Sequence, residues 1–380
     1  FLNIHIWINL ITLYHLIFIV KIKNNMRVCI LGASLSSYTL AKALVNQNIY
    51  VDLFASKKIN LPNKLRTIGI SKSNIEFFNN SIINTDKISW KLKKIEIFTD
   101  NLNKEKLINF ENNGTELFSI IKNKSLFEIL EKDLSKNKYY TKINILNNFN
   151  FLDRYNLVVN TDFSNLITKK YFSRKISKEY NSLAYTTIVS HEKIQNDTAV
   201  QIFTKMGPLA FLPISENETS VVFSFHNKKN QNIGKLIEKY NYKYKIKKIE
   251  KINSFELKSL SLRSYYHGNI LGFGDLLHRV HPLAGQGFNM TIRDVKILLE
   301  IILNRYNLGL PLDSSINYEF EKKSKHKNLI FSSGIDFIHE FFNFEKKINT
   351  SLISRSVQLL GKNPNINKIF TEIADRGNLI

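Results

Sequence analysis

The stretch GFGDLLHRVHPLAGQGFNMTIRDV, residues 272–295, decides the fold. It reads as the end of a buried strand, then Gly274-Asp275, then His281-Pro282, then Gly285-Gln286-Gly287 opening a helix. An Asp just beyond a buried strand is placed to accept hydrogen bonds from ribityl or ribose hydroxyls. A Gly-rich turn at a helix start aims unpaired backbone N–H groups at an electron-rich ring edge or an oxyanion. Asn289 and Asp294 follow on the same helix, and acidic residues near a helix start suit its dipole. The order of these parts fits a flavin site.

The stretch resembles the pattern GDAAHxxHPxAGQGxNxGxxD of flavoprotein aromatic hydroxylases, in the spelling of the ubiquinone-pathway (UbiH-type) hydroxylases. Gly274, Asp275, His278, His281, Pro282, Ala284, Gly285, Gln286, Gly287, Asn289 and Asp294 match at fixed spacing. Leu276-Leu277 replace a small pair, and Thr291 replaces a Gly. The resemblance implies an α/β fold. It expects an FAD-binding Rossmann-like domain of the aromatic-hydroxylase type, with an interleaved mixed β-sheet substrate domain and C-terminal helices. The expected flavin domain is discontinuous (26–85, 112–168 and 255–330), the substrate domain covers 86–111 and 169–254, and helices fill 331–380.

Working outward, Arg27–Leu31 is a short apolar strand, Ser37–Asn46 alternates like a helix, and Val51–Phe54 is a second strand. A dinucleotide fold carries its GxGxxG at this place. Here the turn reads Gly32-Ala33-Ser34-Leu35-Ser36-Ser37, so only the first Gly is present. Ser34 and Ser37 each add a Cβ and a hydroxyl that can donate to phosphate. Where the family has an acid for the adenosine ribose stands Ala55, and Asp52 lies three residues early. Leu65–Ser73 resembles the family's RxxALSxxS, which implies Arg66 on the pyrophosphate; a guanidinium fork suits two phosphate oxygens.

Phe118–Leu130 resembles VVENxxLxxAL, with Asn123 kept and Lys122 in place of Glu. Leu126, Phe127 and Leu130 have helical spacing and read as core. Tyr155–Asn165 resembles DLVVxADGxxS, with Asp162 kept and Phe163 where a Gly usually permits a tight turn. Ala184–His191 and Ala199–Phe225 read as sheet, and QIFTKMGPLAFLP matches the UbiH-type FTxxGPLALLP, which the resemblance places at the floor of the aromatic-substrate pocket. Lys228–Lys251 reads as a solvated helix plus loop. Asn317–Asp336 and Phe337–Phe344 read as successive helices. The aromatic patch Phe337, Phe341, Phe342 and Phe344 reads as a helix-packing seam, or as a contact for a polyprenyl tail or membrane.

Composition narrows the function classes. The chain has 380 residues, 43% hydrophobic and 23% charged, which is globular. Its net charge of +22 would suit a polyanion. Arg contributes ten of the 54 basic residues and Lys the other 44, a bias shared by Asn, Ile, Tyr and Phe that AT-rich coding explains. No nucleic-acid motif accompanies the charge, and a membrane-surface role remains compatible with it. Cys29 is the only cysteine, so no disulfide forms within the chain. The nine His show no metal-ligand spacing, and no metal is expected. Phe1–Val20 is long and apolar enough to span a bilayer. We read 1–25 as an extension preceding a start at Met26, with a membrane anchor as the alternative.

The resemblance implies an FAD-dependent monooxygenase, with NAD(P)H as reductant and O2 and a polyprenylated phenol of ubiquinone biosynthesis as substrates. The oxygen would transfer from a flavin hydroperoxide. The implied cofactor residues are Gly32, Ser34, Ser37, Arg66, Asn123, Asp162, Gly274, Asp275, Pro282, Gly285, Gln286, Gly287, Phe288 and Asn289. No side chain stands out as a catalytic base. Other ubiquinone-pathway proteins are expected as partners, and the expected location is the cytoplasm, peripheral to the inner membrane. Two alternatives stand beside it, the first supported by Ser34, Ser37, Ala55 and Phe163. One is a non-catalytic relative acting as scaffold, and the other a flavin oxidoreductase of another substrate.

Overall fold

Val28, Cys29, Ile30 and Leu31 are each 0% exposed. An apolar run buried on both faces belongs at the centre of a parallel sheet. In the computed structural model Arg27–Leu31 pairs in parallel with Tyr50–Ala55 on one side and Leu157–Asn160 on the other. Tyr140–Asn144 extends the first side, and Ile270–Gly272 with Tyr266–His267 the second, giving a six-stranded sheet. The structure describes residues 26–55, 66–102, 105–111, 114–144, 149, 151–225, 232–281, 286–348 and 351–376. The run Phe1–Val20 lies outside the described residues, as do Pro282 and Gly285 of the central motif.

The helices are α1 (Leu35–Val45), α2 (Lys72–Ser81), α3 (Asn123–Leu134), α4 (Leu166–Tyr171), α5 (Ile233–Tyr240), α6 (Gln286–Asn307), α7 (Ser315–Ile348), α8 (Leu352–Lys362) and α9 (Pro364–Arg376). The inner face of α3 is Leu126, Phe127, Leu130 and Leu134, all buried, as their spacing predicts. α1, α3 and α6 close one core with the six-stranded sheet.

A second, nine-stranded mixed sheet is drawn from Lys94–Glu111, Lys175–Leu262 and His278–Arg279. It is antiparallel except where Thr198–Thr204 runs parallel to Lys94–Thr99. The strand Gly207–Pro213 alternates cleanly: Leu209 and Phe211 pack with Ile233 and Ile237 of α5, while Leu212 joins Trp90, Leu92 and Phe118 on the opposite face. A small sheet of Thr67–Ser71, Phe118–Lys122 and Ser89–Leu92 lies on that opposite face. The two are joined by Thr67 Oγ1 donating to Ser220 Oγ over 2.8 Å and by Lys122 pairing with Glu218 at 2.8 Å. The interleaved architecture expected from the motif is therefore present.

Two local expectations are corrected. Lys228–Lys251 holds, besides α5, an added strand at Ile246–Ile249 that pairs with the end of Lys175–His191. Its spelling IKKI hides the pattern, because lysines on an edge strand discourage further pairing and mimic a solvated loop. The helices expected to part near Asp336 are one helix, α7. Buried Asn328 and Ile335 keep its inner face continuous across Gly334.

Candidate flavin site

The parallel strands present their C-terminal ends together. Leu31 is in register with Phe54 and with Asn160, and Gly272 with Asn160. A ligand crevice forms at such ends in open α/β sheets. Gly272 leads through Phe273 to Gly274, whose φ is +62°. A Cβ there would stand 2.6 Å from the Cβ of Ser36, so only Gly lets the motif turn meet the start of α1. Asp275 follows, exposed, and no described residue pairs with its carboxylate. Leu276 and Leu277, at 2% and 0% exposure, anchor the turn from beneath.

Behind the turn the motif's polar residues serve structure. His278 meets Asp294 at 2.5 Å, and Asp294 accepts from Asn328 Nδ2 of α7 at 2.9 Å. His281 is 1% exposed, and its ring lies edge-on to Tyr180, 5.1 Å between centroids. The Tyr180 hydroxyl donates to Asp336 of α7; burial, reinforced by that carboxylate, holds its phenol well above the usual range. α7 thus braces the segment bearing both histidines. Asn289, 0% exposed, donates to Gly69 O and accepts from Ser71 N and Asn74 Nδ2, each at 2.9 Å. Its side chain latches α6 to α2. Gln286 is buried, and Phe288 packs near Phe78. A Cβ on Gly287 would meet nothing nearer than Val280 Cγ2 at 3.9 Å.

At the first turn Gly32 has φ +105°, and a Cβ would reach 2.5 Å from Thr161 Oγ1. Ser34 and Ser37 form a capping box: Ser37 N donates to Ser34 Oγ at 3.2 Å, and Ser34 N to Ser37 Oγ at 3.1 Å. Their hydroxyls also meet each other at 3.0 Å, and Ser37 meets Thr161 Oγ1 at 2.7 Å. Thr161 donates its only proton to Leu31 O at 3.0 Å. Ser37 must then donate to Thr161, and Ser34 to Ser37. The chain of protons runs inward from Ser34, which is its outer end and would meet a ligand only by giving up its bond to Ser37. The first-turn N–H groups of Leu35 and Ser36 have no acceptor within the helix.

The remaining expected residues divide. Arg66 is exposed, and its guanidinium stands over Phe255 of the large sheet at 5.6 Å. Asn123 N donates to Arg66 O at 2.9 Å, and Asn123 Oδ1 is buried with no donor among the described residues. Asp162 Oδ1 accepts from Ser164 N and Oγ at 2.8 and 2.6 Å, turning its carboxylate into a local turn. Phe163, 54% exposed, lies under the Arg279 guanidinium at 4.9 Å. Asp52 is no substitute for the missing strand-end acid: it accepts from Tyr155 OH at 2.8 Å and faces Arg27. Sequence reading passed over Thr161, which stands at the Ala of the resembled ADG; that exchange was the available signal. It also passed over Tyr180 and Asn328, which carry no local signature.

An orphaned buried acceptor at Asn123, an unpartnered Asp275, and two free first-turn amides beside the Ser34 hydroxyl at α1 suit FAD. The first two would take ribityl or ribose hydroxyls and the last a phosphate. Among the described residues no His/Cys/Asp/Glu cluster could hold a metal.

A model of the FAD binding domain matches residues 224–307. The 3-demethoxyubiquinol 3-hydroxylase of Escherichia coli is 28% identical over 166 residues, 41% of this chain and 42% of that protein. The mitochondrial ubiquinone biosynthesis monooxygenase COQ6 of Drosophila melanogaster is 23% identical over 295 residues, 66% of this chain and 61% of that protein. The chain thus spans about two-fifths to three-fifths of the length of these relatives. In fold it is similar to p-nitrophenol 4-monooxygenase PnpA of Pseudomonas putida, with TM-score 0.74, 11% identity, and 93% and 99% of the two chains covered. It is also similar to Klebsiella pneumoniae HpxO complexed with FAD and uric acid, with TM-score 0.71, 12% identity, and 93% and 98% covered. The chain thus carries an FAD binding domain match, is similar in sequence to ubiquinone-pathway hydroxylases, and shares the fold of FAD-dependent aromatic monooxygenases.

Proposed function

We propose that the protein is an FAD-dependent monooxygenase that hydroxylates the ring of a polyprenylphenol in ubiquinone biosynthesis, with NAD(P)H as reductant. The observation that carries this reading is the unpartnered Asp275, held by Gly274 against the start of α1 at the strand ends. One oxygen atom of O2 enters a ring C–H bond; the other leaves as water with two electrons and a proton from NAD(P)H and a proton from solvent. When bound, the reduced flavin supplies those electrons to O2.

The protein's part is placement. Asp275 would accept ribityl hydroxyls, Ser34 with the Leu35 and Ser36 amides a phosphate oxygen, and Arg66 the pyrophosphate charge. Leu212 is packed with Trp90, Leu92 and Phe118 between the large sheet and the small one; the phenol would lie beside this apolar floor, which would help to exclude water. The discontinuous domain limits expected from the sequence are part of this reading. So are the cytoplasmic location, contact with a membrane surface where a polyprenyl tail resides, and association with other pathway proteins.

A second reading has its own observation. The closed network of Ser34, Ser37 and Thr161 fills the hollow that a GxGxxG turn leaves open, so a non-catalytic scaffold of the same pathway is the competitor. Deleting the gene should leave an under-hydroxylated prenylphenol. Asp275→Ala in its place decides between the two. A hydroxylase needs flavin and loses ubiquinone, whereas a scaffold keeps it. Normal ubiquinone in the deletion strain would end both readings.

A further inference from the structure

Folding leaves a large apolar surface uncovered on the C-terminal helices. Of the seventeen exposed large apolar side chains among the described residues, ten lie on α7, α8 and α9. Exposed apolar residues scattered singly need no explanation, but a contiguous set does. On α7, Ile330, Phe337 and Phe344 are 59%, 66% and 57% exposed. Their seven-residue spacing keeps them on one helix face. Phe341 lies on the same face, its ring 5.6 Å from Phe337. The opposite face of α7, with Phe320, Ser324, Asn328 and Ile335, is the one buried against the flavin domain. On α8, Leu352 and Leu359 are 71% and 67% exposed. At Phe337 and Phe344 the patch read from sequence as a packing seam, or as a contact for a polyprenyl tail or membrane, faces solvent; the side chain of Phe342 lies outside the described residues.

The polar residues of these helices carry a sign. Lys322, Lys327, Arg355, Lys362 and Lys368 are exposed and make no ion pair with a described residue. Of the exposed acids, Glu340 is already engaged by Lys178 at 2.7 Å, and Glu372 lies on α9, outside α7 and α8. Apolar Phe, Ile and Leu beside unpaired Lys and Arg is the composition of a surface that lies in a headgroup layer. The rings enter the acyl boundary, and the cations stay at the anionic surface. No helix among the described residues is long and apolar enough to cross a membrane, so the face would lie on the bilayer. A second copy is disfavoured as occupant. Its net charge is also +22, and a two-fold contact would set the same unpaired cations against each other.

We propose that the exposed face of α7 and α8 docks the protein on an anionic phospholipid bilayer. This rests on the reading of the substrate as a membrane-borne prenylphenol and names the surface that would meet that membrane. The test uses the purified full chain and flotation with two kinds of vesicle, phosphatidylcholine alone and phosphatidylcholine with phosphatidylglycerol. The parent should bind the anionic vesicles, and added salt should weaken that binding. Phe337→Ser with Phe344→Ser should weaken it roughly tenfold or more. Lys322→Glu with Lys327→Glu should weaken it too, while both variants keep the parent's circular dichroism and flavin content. Unchanged binding in both variants would overturn the proposal. So would a concentration-dependent dimer that the phenylalanine variant dissolves, with no vesicle binding by the parent. Binding with no flavin in the parent would instead sink the hydroxylase reading and leave the docking face standing.

Discussion

Replacing Asn289 with Ala separates a structural from a cofactor role for a residue that the motif alone assigns to the cofactor. The Asn289 side chain is 0% exposed, gives one hydrogen bond to Gly69 O and takes two, from Ser71 N and Asn74 Nδ2. Alanine would orphan the Ser71 N–H and the Gly69 carbonyl, both buried. A buried backbone group without a partner costs about 1–3 kcal/mol. Partial relaxation leaves an expected loss of about 3–4 kcal/mol, a large share of the 5–15 kcal/mol typical of a folded chain. At about 2 °C per kcal/mol for a chain of this size, the apo-protein should melt about 6–8 °C lower. FAD titration of the variant at a temperature where it is folded should give nearly the parent's affinity. An apo-protein melting within about 1 °C of the parent, together with a tenfold or greater loss of FAD affinity, would refute the latch and make Asn289 a cofactor ligand.

Other outcomes follow from the same geometry. Asp275→Ala should lower FAD affinity by about 10–150-fold, the equivalent of a charge-assisted bond or pair worth 1.5–3 kcal/mol; fluorescence titration checks it, and equal flavin content would count against the assignment. Ser34→Ala should weaken FAD by about 2–10-fold and leave riboflavin binding untouched, because only the phosphate-bearing ligand reaches that hydroxyl; an equal effect on both ligands would place Ser34 elsewhere. Gly274→Ala should destabilise the apo-protein, since the added Cβ meets Ser36; a melting curve like the parent's would mean that α1 gives way. Burial, with Asp52 adding to it, pushes the Cys29 thiol well above its ordinary value of 9.0. The folded state then holds its proton after the unfolded state has lost it, so the stability gained below about pH 9 should fade above it. Denaturant titrations of Cys29→Ala should show a shallower alkaline loss than the parent's.

The sequence is legible where one residue type performs one duty. The buried strand Arg27–Leu31, the inner face of α3 and the Gly274-Asp275 turn were readable from pattern. Asn289 and Asp294 were located by the same motif, but not their use: their partners Gly69, Asn74 and Asn328 come from distant segments that no local pattern links. The serines of the first turn were readable as departures, and their compensation was not, because Thr161 joins them only after Leu157–Asn160 pairs beside Arg27–Leu31. The edge strand Ile246–Ile249 was hidden by its lysines. The outer face of α7 has the spacing of a packing seam, and spacing alone does not tell whether anything packs there.

One contact bears on how the chain is made. α2 begins at Lys72 without a side-chain cap of its own. Its start is closed by Asp375 of α9, which accepts from Ser73 N at 2.8 Å, while the Asp375 carbonyl accepts from Ser71 Oγ at 2.8 Å. During synthesis, residues 71–73 emerge long before residue 375. The α2 terminus therefore waits, with its amides exposed to water, until Asp375, 302 residues beyond Ser73, has left the ribosome. Ser71 also donates to the Asn289 latch. α9 is thus joined to the latch between α2 and α6, and this part of the nucleotide-binding half is completed only by a segment made much later, however early its strands are laid down.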